Sequence, residues 1–121
     1  MKEAYVSFEV AELLKEKGFD WDCNAIYGRR GEFQRNTDRA FNNGGLHVTS
    51  APTHQMACAW LNEVHHIFIE IGKSIDLNGN YHYSYTILDK ECKYVRRGYT
   101  SFDWKSEDAV EAALKYVLEN L

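Results

Sequence analysis

Between Pro52 and Ile71 the chain changes its hydrophobic period from that of a helix to that of a strand within one or two residues. Met56, Ala57, Trp60, Leu61 and Val64 recur at the spacing that places side chains on one face of a helix, with Thr53 before them as an N-cap. Directly afterwards Ile67, Ile69, Ile71, Ile75 and Leu77 fall on odd positions, with Lys73 the one charged odd position. His66, Phe68, Glu70, Gly72, Ser74 and Asp76 take the even ones. A period of two describes a strand with one buried face. A core helix must therefore turn at His65-His66 into an isoleucine strand.

The segments on either side extend this reading. Ser7 is suited to cap a first helix over Phe8–Lys17, whose Val10, Leu13 and Leu14 repeat at helical spacing before a glycine stop at Gly18. Ala25-Ile26-Tyr27 and Glu32-Phe33-Gln34 can pair across Gly28-Arg29-Arg30-Gly31, and Leu46–Thr49 reads as a short strand. Much of residues 19–51 otherwise reads as surface loop rather than a separate domain. After the isoleucine strand, Asn78-Gly79-Asn80 signals a hairpin into Tyr81–Leu88. A three-residue turn sets odd positions against odd ones, so that Ile69, Ile71 and Ile75 share a face with Tyr81, Tyr83, Tyr85 and Ile87. This register buries more apolar surface than a slip of one residue. Lys93–Tyr99 is a third strand, with Gly98 a bulge or strand end. Ser106 caps a last helix whose Ala109, Val110, Ala113, Leu114, Val117, Leu118 and Leu121 form one face. Glu111, Lys115 and Glu119 lie opposite at four-residue steps that favour charge pairing.

The expected fold is α+β. An antiparallel β-meander of about three main strands, with short N-terminal strands, packs against two or three helices in a single domain spanning residues 1–121. A chain of 121 residues, 45% of them hydrophobic, is long enough for a real core. No apolar run approaches a membrane span, and Met1-Lys2-Glu3-Ala4-Tyr5 lacks a signal-peptide core, so the expected location is the cytoplasm without membrane association.

Ala51–Ala57 continuing through Trp60-Leu61-Asn62-Glu63-Val64-His65, and Ser106–Tyr116, stand beside the opening Tyr5-Val6-Ser7-Phe8-Glu9 and Leu13–Phe19. Together these segments resemble a group of small uncharacterised proteins encoded by phages, prophages and mobile elements, chiefly in Bacteroides and related bacteria. Residues 24–50 carry little of the likeness. The resemblance implies a bacterial, phage-derived, small soluble protein and transfers no activity, cofactor or site residue.

Candidate chemistry concentrates in few places. His54 and Cys58 are one helical turn apart, with His65 on the same side of the wheel. At 1.5 Å per residue His65 lies roughly 10 Å from Cys58 and roughly 16 Å from His54 along the axis, so the three cannot meet at one ion. The pair His65/His66, with Glu63 and Glu70 near, supplies groups able to act as acid or base, but no nucleophile–base pattern accompanies it. Cys23, Cys58 and Cys92 form no C-x-x-C, and neither glycine-rich phosphate-loop pattern occurs. No catalytic, metal or cofactor-binding residue is assigned, and no cofactor is expected.

Two basic clusters interleave with aromatics: Arg29, Arg30, Arg35 and Arg39 with Phe33 and Phe41, and Lys93, Arg96 and Arg97 with Tyr94 and Tyr99. Arginine beside aromatic rings suits phosphates and stacked single-stranded bases. These six arginines are the candidate nucleic-acid contacts, although a net charge of −4 opposes the idea globally. The aromatic content of 14% suggests instead a protein interface, with Phe68, Tyr99 and Trp104 as candidates. Phe68 lies on the even face of its strand, which must be covered by residues 19–51 or by a partner. The favoured reading is a non-enzymatic protein-binding or adaptor protein, engaging an unidentified protein or a second copy of itself. The alternative is a nucleic-acid-binding accessory protein. An enzyme or metal site around His65/His66 comes third.

Overall fold

The computed structural model describes residues 4–35, 40, 41, 43, 48–75, 77–99 and 106–121. Three helices and six strands follow in the order α1 (Phe8–Glu16), β1 (Ala25–Tyr27), β2 (Phe33–Arg35), β3 (Thr49–Ser50), α2 (His54–His65), β4 (Phe68–Ile75), β5 (Tyr81–Leu88), β6 (Tyr94–Tyr99) and α3 (Ser106–Glu119). The fold is α+β, with two antiparallel sheets ordered β2-β1-β3 and β4-β5-β6.

Local chemistry sets the helix ends. Ser7 and Thr53 each accept a backbone N–H of the first helical turn, from Val10 and Met56, both at 3.2 Å. Gly18 takes φ +90°, a left-handed conformation open to glycine, while Phe19 N–H returns to Leu14 at 3.0 Å. His66 closes α2 in the same region at φ +58°, its N–H on Leu61. This left-handed residue is the hinge by which the chain leaves a helix and enters β4.

α3 is the central element. It packs on all three strands of the β4–β6 sheet and against α1 and α2. Trp60, Leu61, Leu14, Phe19, Ile87, Leu114 and Leu118 are buried at the centre of one core. The N-terminal segment is tied down beside α2, with Val6 N–H on Pro52 at 3.0 Å and His54 N–H on Ala4 at 2.9 Å.

β4 and β5 pair in the anticipated parity, Ile69 with Ile87, Ile71 with Tyr85 and Ile75 with Tyr81. The turn is longer than three residues, since the strands stop at Ile75 and resume at Tyr81. Burial along this face departs from expectation. Ile75 is 59% exposed, Tyr81 is 54% exposed and Leu77 is fully exposed, because the helices cover only the end of the sheet near Ile69 and Ile87. Val64, placed by the helical wheel on the core stripe, is also half exposed. The segment 19–51 is not simply surface loop. Phe19, Cys23, Ala25, Ile26, Ser50 and Ala51 are buried, and β1 pairs with both β2 and β3. The β1–β2 hairpin sets Tyr27 opposite Phe33. Of the strand expected at Leu46–Thr49, Leu46 and His47 lie outside the described residues, and Thr49–Ser50 form β3.

Gly98 is neither a bulge nor a strand end. It pairs with Tyr85, and a Cβ there would overlap the Tyr85 ring, so the absent side chain makes room for an aromatic lying across the strand. The bulge falls at Val95 instead, between the pairs Ile87–Arg96 and Leu88–Tyr94. Ser106 is the first helical residue of α3 rather than the residue before it. Glu111 does not face away from the core, as described next.

Candidate functional site

Pairing across the β4–β6 sheet orders its helix-free face into rows. Ile69, Ile71, Tyr85 and Ile87 belong to the core face, so the even positions of β4 and β5 look the other way. Phe68, Leu88 and Tyr94 are direct cross-strand partners and form one apolar row over three strands. Phe68 is 47% and Tyr94 71% exposed. The next row is Glu70, Thr86 and Arg97, and the third is Gly72, Ser84 and Tyr99. Arg97 holds its guanidinium 5.6 Å from the Tyr94 ring, which places a cation at the margin of the apolar row. The small sheet takes its helix contact from α1, not from this face. The arrangement has the composition of an interface centre, with aromatic and aliphatic side chains beside an arginine.

Of the residues proposed for a protein interface, Phe68 lies in this row and Tyr99 occupies the register position opposite Ser84. Trp104 lies outside the described residues. Sequence reasoning did not single out Leu88 or Tyr94 for this surface. Leu88 continues the even parity of β5 and was legible in principle. Tyr94 was not, because the bulge at Val95 changes the parity of β6 part-way along.

The arginines divide. Arg29 and Arg30 are exposed in the turn of the β1–β2 hairpin, and Arg35 lies on exposed β2. Arg35 places its guanidinium 5.9 Å from the Tyr5 ring, which meets Phe33 edge-on at 5.1 Å. Arg96 and Arg97 point to opposite faces of their sheet. Arg96 turns toward the core face, where its Nε donates to the Tyr85 hydroxyl at 3.2 Å and its guanidinium stacks 4.4 Å from the Tyr116 ring of α3. It is engaged in fastening β6 to α3. Arg39 lies outside the described residues.

The histidine- and cysteine-bearing helix separates its groups, as axial spacing requires. His54 points to Glu111 of α3, its Nε2 2.8 Å from Oε1. Cys58 is pushed up to about 11 and Cys23 to about 12, each by burial first, with Asp22 adding to the effect at Cys23. At neutral pH both are thiols and poor nucleophiles. His65 packs edge-on against Trp60 at 4.8 Å, and His66 is exposed at the helix cap. Among the described residues no group of three or more His, Cys, Asp and Glu side chains could hold a metal ion.

Glu111 is the polar group that sequence reasoning misplaced. Its carboxylate accepts from His54 Nε2, from the Ser7 backbone N–H at 2.8 Å and from the Ser7 hydroxyl at 2.8 Å. Burial pushes its pKa up, but the bonds from His54 and Ser7 outweigh burial and hold it below the ordinary value. It is therefore ionised at neutral pH and joins the N-termini of α1 and α2 to α3. Tyr27 donates to the Val6 carbonyl at 2.6 Å near by, and burial and the charge of Glu111 raise its phenol. Serine, histidine and acid thus meet, but in an order that does not activate the serine. Ser7 and His54 both bond to the acid, and the Ser7 oxygen also accepts from Val10. The chemistry of this cluster is that of a tether. No helix among the described residues is long and apolar enough to cross a membrane. No protein-family model, curated protein or solved structure matches the chain.

Proposed function

We propose that this chain is a small non-enzymatic protein-binding or adaptor protein of mobile-element origin, and that it engages its partner with the helix-free face of the β4–β6 sheet. The observation that carries the reading is the row Phe68–Leu88–Tyr94, exposed at Phe68 and Tyr94 and half-buried at Leu88, with Arg97 at its margin. An apolar row on a rigid sheet loses little entropy on docking, which suits it to binding. The test is affinity capture from cells that carry the gene. A partner retained by the wild type and by Arg29→Ala/Arg30→Ala, and lost with Phe68→Asp/Tyr94→Asp, supports the face. A partner that survives the second pair of changes removes it.

A second reading, a nucleic-acid-binding accessory protein, draws on the hairpin that carries Arg29, Arg30 and Arg35 beside Tyr5 and Phe33. It predicts a salt-sensitive gel shift with single-stranded DNA that Arg29→Ala/Arg30→Ala abolishes. No shift at low salt sinks it.

A further inference from the structure

The two edges of the β4–β6 sheet are built differently. β6 carries the bulge at Val95 and adjacent arginines at 96 and 97, devices that discourage a further strand. β4 pairs with β5 in unbroken register over all eight of its residues and contains no proline. Its one cation does not guard the edge. The Lys73 ammonium lies 4.5 Å from the Tyr81 ring and 5.6 Å from the Tyr83 ring, turned inward over β5. Ile75 and Phe68, both well exposed, add apolar surface to this strand. A long, regular, weakly charged edge is a template for another strand.

We propose that β4 is the seam of a homodimer, in which the β4 of a second copy adds antiparallel to form a six-stranded sheet. A two-fold axis perpendicular to the sheet keeps both helix-covered faces on one side, so every residue meets one of its own parity. Centring the pair on Glu70 or on Lys73 opposes like charges. Centring it on Ile71 sets Lys73 against Ile69 and leaves Ile75 uncovered. Centring it on Gly72 sets Glu70 against Ser74, Ile71 against Lys73 and exposed Ile75 against Ile69. Registers centred on Ser74 or Ile75 also cover Ile75, but they overlap only the last residues of β4. The Gly72 register avoids both charge collisions, covers both copies of Ile75 and pairs the strand from Ile69 to Ile75. This self-complementarity favours a second copy over an unrelated peptide. The seam uses the backbone edge of β4, whereas the partner face uses outward side chains. A strictly monomeric protein therefore removes the seam and leaves the partner face standing.

Sedimentation velocity of the full chain over a range of concentrations tests the seam. The expected mass rises from 14.1 kDa to twice that value. Ser74→Glu/Ile75→Glu sets a like charge against Glu70 and a charge against Ile69, and holds the mass at 14.1 kDa with an unchanged far-ultraviolet circular dichroism spectrum. Glu70→Cys/Ser74→Cys in a Cys92→Ser background tests the register independently of those variants. Two cysteines four residues apart on one strand are about 13 Å from each other and cannot bridge. Oxidation should therefore yield a covalent dimer on a non-reducing gel. A wild type that stays monomeric at the highest concentration overturns the proposal. So does a dimer that survives Ser74→Glu/Ile75→Glu but not Tyr94→Asp, and so does an absence of cross-linking by the cysteine pair.

Discussion

Glu111 shows how much a single residue can do when two helix N-termini converge on it. Its two carboxylate oxygens satisfy the Ser7 N–H and hydroxyl and His54 Nε2, so truncation leaves the part-buried His54 donor without its acceptor and returns the exposed Ser7 donors to water. Glu111→Ala should cost about 2 kcal/mol, read as a lower urea midpoint. The acidity adds a sign. A carboxyl held lower in the folded chain than in the unfolded one stabilises the fold above its ordinary value of 4.5, and that contribution is lost as pH falls through the folded value. The urea midpoint of the wild type should therefore decline in acid, and Glu111→Gln should flatten the decline. Glu111 was legible as a charge on α3, and even its four-residue spacing to Lys115 suggested a partner. Lys115 instead bonds Glu9 of α1 at 3.0 Å, and Glu111 turns inward. A helical wheel reports direction around one axis and is blind to two other helix ends that approach it.

At the scale of elements, β6 and its contact with β5 carry the sharpest prediction. Gly98 makes room for the Tyr85 ring, and Tyr85 is held there by burial and by Arg96. Gly98→Val must displace that ring and should destabilise the protein by about 1–3 kcal/mol, measured by thermal or urea unfolding. A stability within error of wild type would contradict the close approach. Sequence could flag Gly98 as unusual within a strand, but whether a glycine marks a bulge or an overlying ring depends on the neighbouring strand's register. The helix-to-strand switch at His65-His66 was legible because two periods meet there. Its mechanism, a histidine in the left-handed region at a position often taken by glycine, was not, since histidine carries no strong signal for that conformation.

Across the whole molecule, Trp60 connects regions that are far apart in sequence. Its ring meets Phe19, before β1, at 5.4 Å and His65 at 4.8 Å, inside a core shared with α1, β5 and α3. Trp60→Ala should cost about 3–5 kcal/mol and lower the urea midpoint followed by circular dichroism. Hydrophobic period, caps and turn residues determined the elements, their order, the parity of the β4–β5 pairing and the α+β class, because these depend on backbone geometry and nearest neighbours. Three outcomes needed the tertiary structure: how far the helices reach along the sheet, which arginines remain outward, and where Glu111 finds its donors. Each depends on surfaces brought together from distant parts of the chain. That is why Ile75 and Tyr81, on the predicted apolar face, are exposed, while Phe19 and Cys23, outside the expected strands, are buried.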